Sequence, residues 1–478
     1  MIFCVLYGHN YTNEMQVTAQ VFFPNERFTF CDEIPAEGLA VVGCVRGCCI
    51  GEMYRDGKKI SSYSLEIPDS DEKAEKTVKR TLMLAVFYAL KEATGLPTPW
   101  GALTGVHPAK QVRLWLEEGD TEEEIFERLS KIYGLRDDKI KLATTVAYAE
   151  RAIIARQSPG VGLYIGVPFC PSRCLYCSFV VSQKAGPDAH RRFLDALAKE
   201  CQVCQKSQKS QESQSITEDS INTVYIGGGT PTAFSEEDLL RLLEIVSRFI
   251  KLVNLSTNVE YTVEAGRPDS ITPEKLKLLK NFGVNRIAIN PQTLNDITLE
   301  RIGRSHTAAD FYRAYEMAKQ AGFDNINTDV IAGLPGEEPE DMRRTMEGLK
   351  GLKPTHITVH TLAVKRASRL NERLTDYHAA EFETVDTMLD IAREICGDLG
   401  LVPYYMYRQK NMVGHFENVG YSLPGYECLY NVAMMAETQT VLGAGAGAVT
   451  KYVENGLIRR KFNPKDVEAY IQLVGKSG

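Results

Sequence analysis

Between residues 159 and 371 the sequence repeats one rhythm six times: a short apolar run, a loop, then an amphipathic stretch. The apolar runs are "GLYIGVP", "NTVYIGG", "NVEYTVEAG", "NRIAINP", "NINTDVIAG" and "THITVHTL". Stretches such as "EEDLLRLLEIVSRFI", "PEKLKLLKNFG" and "AADFYRAYEMAKQAG" separate them, with apolar residues at helical spacing. Strands that alternate with helices run parallel, because a chain returning through a helix re-enters the sheet from the same end. Two architectures satisfy this pattern, an incomplete (β/α) barrel and an open doubly wound sheet. Both gather ligand-binding residues at the carboxyl ends of the strands.

The flanks follow other rules. Residues 1 to about 65 alternate apolar stretches with turns, and "RDGK" at Arg55–Lys58 carries the Asp-Gly hairpin signal, so a small antiparallel sheet is expected. From Asp71 to about Arg156 the period becomes helical, with "EKTVKRTLMLAVFYALKEATG" stopping at Gly95 and "TEEEIFERLSKIYG" at Gly134. The linker "RQSPG" then marks a boundary, giving an N-terminal α+β domain at 1–158 and the alternating domain at 159–371. A helix, the segment "YYMYRQKN" and a Gly/Ala-rich turn "LGAGAGAV" form a C-terminal α/β extension at 372–478. The polar stretch Gln205–Ser220 reads as a low-complexity surface insertion.

Charge narrows the class of partner. The net charge of −7 argues against a nucleic-acid binder. There is no apolar run long enough to cross a bilayer, and the N-terminus lacks the basic region of a signal peptide. Twelve cysteines without an export signal point to reduced thiols or metal ligands, and to the cytoplasm.

Three of those cysteines lie in "GVPFCPSRCLYCSF", spaced C-x3-C-x2-C at Cys170, Cys174 and Cys177, just past the first strand of the alternating domain. A structural zinc site needs four ligands, and neither a second cysteine pair nor a nearby histidine completes one. A [4Fe–4S] cluster also takes four thiolates. Three would leave one iron open to a small chelating molecule. The Gly-rich "YIGGGTPT" follows the second strand, where bare backbone can approach a ligand and N–H groups can meet a carboxylate or amine.

C-x3-C-x2-C after a first barrel strand resembles the signature of the radical S-adenosylmethionine (SAM) superfamily. The resemblance implies a partial (β/α)6 barrel, and a [4Fe–4S] cluster on Cys170, Cys174 and Cys177. In that superfamily SAM chelates the open iron and is cleaved reductively to an adenosyl radical. "GGGTPT" further resembles the oxygen-independent coproporphyrinogen III oxidases (coproporphyrinogen dehydrogenases). By that likeness Gly228, Gly229 and Thr230 hold the methionyl part of SAM, and Glu264 in "VEAGRPDSIT" takes the ribose hydroxyls. "INPQTLNDITLERIGRSH" brings Gln292 and Arg304, and "NTDVIAGLPG" brings Asp329. The same likeness implies that Tyr164 stands beside the cluster and that Tyr176 shields it. The N-terminal region together with "PWGALTGVHPAK" and "ECLYNVAMMAETQTVLGAGAGAVTKY" resembles the HemZ-type branch.

That resemblance implies oxidative decarboxylation of the propionates of coproporphyrinogen III to vinyl groups, giving protoporphyrinogen IX for haem without oxygen. The electron donor would be a flavodoxin- or ferredoxin-like protein. In "VKRASRL", after the sixth strand, Lys365, Arg366 and Arg369 are candidates for binding the acidic tetrapyrrole. The sequence departs from the better-known branch in two places, with Phe179 where that branch has a fourth cysteine and Gly166 where it has a histidine. The haem-chaperone element "HNxxYW" is replaced by "YNVAMM" at Tyr430–Met435, without its histidine. Another radical SAM reaction on a tetrapyrrole and a non-catalytic haem chaperone are the competing readings. Elsewhere, Cys44, Cys48 and Cys49 read as cysteines of a strand pair, and Cys201 and Cys204 as structural or surface residues of a helix.

Overall fold

The computed structural model describes residues 1–24, 26–69, 74–157, 160–179, 182–183, 186–208, 221–252, 255–365, 368–372, 380–409, 412–454 and 457–476. They divide into two compact units, one of residues 1–145 with 408–417, the other of residues 146–407 with 418–478.

The first unit is built on strands β1 (Ile2–Tyr7), β2 (Phe28–Cys31), β3 (Leu39–Arg46), β4 (Cys48–Arg55) and β5 (Lys58–Glu66). Their order in the sheet is β2-β1-β3-β4-β5. The expected antiparallel sheet holds for β3, β4 and β5, but β1 runs parallel to both β2 and β3. The stretch after β1 explains the difference. It folds as the helix Thr12–Ala19, which carries the chain back so that the next strands start from the same end. The "RDGK" hairpin forms as read, with Asp56 at φ 51° and Gly57 at φ 71°, both in the left-handed region that this tight turn requires. The long helix Ala74–Thr94 buries Leu82, Val86, Phe87 and Leu90 against the sheet. Gly51 of β4 lies against the backbone of Ala85, where any Cβ would collide. Of the cysteines in "CVRGCC", Cys49 is buried on this face, while Cys44 and Cys48 are half-buried.

A buried ion pair closes this unit. Lys139 Nζ donates to Glu417 Oε1 and Trp100 Nε1 donates to Glu417 Oε2, both at 2.7 Å. Arg408 donates to the carbonyls of Leu103 and His415.

The second unit carries β6 (Val161–Val167), β7 (Phe169–Cys170), β8 (Ser182–Gln183), β9 (Ile221–Gly228), β10 (Leu255–Gly266), β11 (Arg286–Ile289), β12 (Asn325–Ala332) and β13 (His356–Thr361). It continues with β14 (Val402–Tyr407), β15 (Asn418–Ser422), β16 (Val441–Gly445), β17 (Val449–Glu454) and β18 (Leu457–Phe462). One large sheet runs β14-β15-β13-β12-β11-β10-β9-β6-β16-β17-β18. The six apolar runs are its centre, β6 and β9 to β13, each parallel to its neighbour. Helices connect them, as the alternation requires. β15 and β14 extend one side antiparallel.

The other side departs from the sequence pattern. The Gly/Ala-rich "LGAGAGAV", expected as a turn, opens as strand β16, parallel to β6 from Val441↔Gly162 to Gly445↔Gly166. A Cβ at Gly166 would stand 2.7 Å from Ala446 O. The bare backbones therefore allow the close approach, and Gly166 accommodates this added strand. No helix among the described residues is long and apolar enough to cross a membrane.

Candidate active site

The three cysteines sit where β6 ends. Pro168 stops the strand, β7 adds Phe169 and Cys170, and the loop then carries Cys174 and Cys177. Main-chain and side-chain bonds fix it from two directions. Leu175 N–H donates to Ile302 O at 2.9 Å, the Ser172 hydroxyl donates to Gly303 O at 3.1 Å, and Leu370 N–H donates to Leu175 O at 2.9 Å. Arg304 Nη2 donates to the Tyr176 hydroxyl at 3.1 Å while its Nη1 holds Asn290 O at 3.2 Å. Tyr176 and Arg304, two residues taken from the sequence, thus meet at the cysteine loop.

Polar groups stand close to each sulfur. Cys170 Sγ shares a hydrogen bond with Thr230 Oγ1 at 3.3 Å, and Arg267 Nη1 donates to Cys174 Sγ at 3.7 Å. Burial pushes the Cys170 thiol up to about 11, and the neighbouring Cys177 and Cys174 add to this, against Thr230 and Arg267. Burial likewise raises Cys177, opposed by the Phe179 amide, Lys365 and Arg304. No group of three or more His, Cys, Asp or Glu among the described residues converges on a single ion. A cube of irons makes no such demand, because it takes each thiolate at a separate corner. Three mutually interacting, largely buried thiols with hydrogen-bond donors at two of them suit a thiolate-held cluster.

The Gly-rich loop does something other than offer open amides. Gly229 N–H donates to Val167 O and Thr230 N–H to Phe169 O, both at 2.7 Å, and Gly228 N–H donates to Glu264 Oε2 at 3.2 Å. The expected ligand-binding N–H groups of this loop are therefore engaged within the protein. Their effect is to weld the end of β9 to the cluster loop. A Cβ on Gly229 would overlap Phe169 O, and Gly228 adopts φ 102°.

Beside this loop opens a cavity of about 270 Å³. Its wall includes Tyr164 of β6, Tyr225 of β9, Glu264 of β10, Arg286 of β11, Asp329 of β12 and His360 of β13. Tyr405 and Tyr407 of β14 and Tyr430, Asn431, Met434 and Met435 of the helix Leu429–Ala436 complete it. The Tyr225 and Tyr430 rings stack at 4.4 Å between centroids, with Tyr164 alongside at 6.0 Å from Tyr430. Burial pushes the Glu264 carboxyl up to about 7 despite the Tyr225 hydroxyl, and the Asp329 charge adds to the rise. Burial raises Asp329 too, but His360, Asn327 and Thr358 outweigh it and hold that carboxyl below its usual range. His360 Nε2 lies 3.6 Å from Asp329 Oδ2, and Asn327 Nδ2 donates to Oδ1 at 2.7 Å.

Gln292 forms an isolated bridge with Val330 of β12, next to Asp329. Its N–H donates to Asp329 O at 2.9 Å, its φ is +70°, and its buried Oε1 has no hydrogen-bond partner among the described residues. A non-glycine residue held in the left-handed region costs about 1–2 kcal/mol, so the surrounding structure enforces this position. Of the three candidate substrate cations, Lys365 lies near Cys177, Arg369 is exposed at the start of the short helix Arg369–Glu372, and Arg366 lies outside the described residues.

Sequence reasoning passed over Arg267, Arg286, His360, Tyr405 and Tyr407. Arg267 follows Glu264 by three residues in a quoted motif, and His360 lies near the end of a quoted strand, so both carried a positional signal. Arg286 and the β14 tyrosines carried none, because only the sheet order brings them to the cavity.

The pattern of the radical SAM superfamily matches residues 164–349. The oxygen-independent coproporphyrinogen-III oxidase-like protein HemZ of Bacillus subtilis is 39% identical over 470 residues, covering 95% of this chain and 92% of its own. The haem chaperone HemW of the same organism is 29% identical over 330 residues, covering 66% of this chain and 76% of its own. Among solved structures, the coproporphyrinogen III oxidase HemN of Escherichia coli, described as a radical SAM enzyme, superposes with a TM-score of 0.52 at 19% identity. That match covers 69% of this chain and 72% of HemN. The chain belongs to the radical SAM superfamily, within the HemZ-type branch of the oxygen-independent coproporphyrinogen III oxidase family.

Proposed function

We propose that this protein is a radical SAM oxidoreductase that decarboxylates the propionates of coproporphyrinogen III to vinyl groups. The family implies a [4Fe–4S] cluster and SAM. When bound, these supply a one-electron reduction and the abstraction of a hydrogen atom from the β-carbon of the propionate. Loss of carbon dioxide, with one electron passing to an external one-electron acceptor, would then leave the vinyl group. The rest is the work of this chain's own residues. Cys170, Cys174 and Cys177 would hold three irons of the cluster, and Tyr176 would cover them. Gly228, Gly229 and Thr230 form the floor next to the methionyl group. Glu264 and Asp329 accept from ribose hydroxyls, Gln292 offers its unpartnered carbonyl, and Arg304 fixes the loop. The tyrosines around Tyr225 and Tyr405 keep water from the reacting carbon. Lys365 and Arg369, with Arg366, would meet substrate carboxylates.

One observation carries the reading. Within three consecutive residues, Gly228 bonds the cavity carboxylate Glu264 and Thr230 bonds the cluster cysteine Cys170. A nucleoside in the cavity would therefore lie one loop away from the cluster. The curl of a partial (β/α)6 barrel is supported by the same cavity. Tyr164 on β6 and Tyr405 on β14 both line it, although seven strand steps separate them. In a flat sheet that separation is about 34 Å.

The test is product analysis under anaerobic conditions with reconstituted protein, SAM, a reductant and coproporphyrinogen III. Protoporphyrinogen IX and 5′-deoxyadenosine are expected. Deoxyadenosine with unchanged porphyrinogen would reject the substrate and keep the chemistry. Haem binding without SAM cleavage would favour a chaperone. Cys174→Ser should lose most of the iron.

A further inference from the structure

We propose that Arg267 is a positioning residue for the cluster, donating through Nη1 to Cys174 Sγ and setting the cluster's reduction potential in balance with Asp269. This rests on the assignment of Cys174 as an iron ligand.

The guanidinium is placed by a complete set of bonds. It follows β10, is only 3% exposed, and is gripped edge-on by Asp269, with Nε donating to Oδ1 at 2.9 Å and Nη2 to Oδ2 at 3.1 Å. That two-point grip fixes the plane of the group. Nη1 is thereby left aimed at the cluster loop, where it donates to the Ser172 hydroxyl at 3.0 Å and to Cys174 Sγ at 3.7 Å. Ser172 passes the contact on to Gly303 O at 3.1 Å. A lysine, with one point charge, could not make the planar grip and the two forward bonds together.

A donor at a ligating sulfur, and positive charge near it, stabilise the more negative, reduced form of an iron–sulfur centre. Asp269 works against this. Its carboxylate neutralises the charge of Arg267 while keeping the N–H group in place. The pair therefore predicts opposite shifts for its two members. Removing the arginine leaves a bare carboxylate near Cys174 and makes the cluster harder to reduce. Neutralising the aspartate leaves a bare guanidinium and makes it easier to reduce.

The experiment compares wild-type protein with Arg267→Met, Asp269→Asn and Ser172→Ala, all anaerobically reconstituted. Iron and sulfide per chain are measured first, then the midpoint potential by electron paramagnetic resonance titration without substrate. The expected result is a negative shift for Arg267→Met, a positive shift for Asp269→Asn, and little change for Ser172→Ala, which loosens the loop but leaves the sulfur donor. The proposal is overturned by an unchanged or negative shift in Asp269→Asn, a reading available even if Arg267→Met loses its cluster. It is also overturned if Ser172→Ala moves the potential as far as Arg267→Met, since loop packing would then be the cause. Wild-type protein that takes up no iron removes the cluster assignment itself, whereas full iron with unmoved potentials removes only the role of Arg267.

Discussion

The Tyr225 hydroxyl donates to Glu264 Oε1 across 2.6 Å, from one parallel strand to the next. Glu264 is buried enough to sit at about 7, so this bond decides how much carboxylate is present near neutrality. A hydrogen bond to a charged group is worth about 1.5–3 kcal/mol, or about one to two pH units. It favours the ionised form, so Tyr225→Phe should raise the Glu264 pKa. With the carboxylate accepting from ribose, SAM affinity rises with pH, and in the variant that rise should move upward by about one to two units. Calorimetric titration of SAM across the range shows it; coincident profiles would refute it.

The same carboxyl makes a stability prediction. Its pKa is raised on folding, so its contribution is full below the unfolded value of about 4.3 and is lost as pH rises through about 7. Glutamine at this position cannot ionise. Relative to wild type, Glu264→Gln should therefore gain up to about 3 kcal/mol between pH 5 and pH 8. Paired denaturant melts at the two pH values measure the difference, and a constant gap would show that Glu264 titrates normally.

Gly229→Ala should break the joint between strand end and cluster loop. The new Cβ would overlap Phe169 O and lie 2.9 Å from Val167 O, both backbone atoms that cannot rotate away. Overpacking of this kind costs typically about 1–3 kcal/mol. Iron per chain after reconstitution should drop with it. Gly186→Ala, where a Cβ meets nothing within 4 Å, is the control and should keep its iron.

These sites differ in how readably the sequence announced them. The cysteine loop and the Gly-rich loop are local patterns at strand ends that spacing locates, whereas Glu264 is reached only through the likeness of "VEAGRPDSIT" to the family. The six central strands were legible because parallel crossovers impose a strict alternation of apolar and amphipathic runs. Three things were not. β16, "VLGAG", ends in glycine and alanine, which suit close approach to Gly166 better than β propensity. The parallel pairing of β1 depends on a single eight-residue helix whose sequence, "TNEMQVTA", has little amphipathic pattern. Arg267 escaped notice because its partners, Ser172 and Cys174, are more than ninety positions earlier in the chain.

Gln292→Gly should separate stability from function. Glycine accepts φ +70° without strain, so the variant should be more stable by about 1 kcal/mol. It also removes the buried Oε1 that finds no donor among the described residues, and SAM affinity should fall about tenfold, the loss of one hydrogen bond to ligand. Thermal melts and SAM titration check the two halves independently. A glycine variant that binds SAM as wild type does would leave the strained backbone without a ligand to explain it.

The pair Lys139–Glu417 offers a test confined to the first unit. Both side chains are almost fully buried, at 1% and 3% exposure, and Glu417 is also held by Trp100. Removing one member of a buried pair costs about 3–5 kcal/mol, and here Glu417 would fall back on the Trp100 bond and the nearby Arg408 charge. Lys139→Met should therefore destabilise the unit strongly. The double variant Lys139→Met with Glu417→Leu should recover much of the loss, because the desolvation of both charges disappears with them. The readout is unusually clean: the chain has two tryptophans, Trp100 and Trp115, both in the first unit, so their fluorescence follows its unfolding alone. A single variant as stable as wild type would mean that water reaches Glu417 and screens it. A double variant no better than the single one would mean that the pair is held for its hydrogen bonds to Trp100 and not for its charge balance.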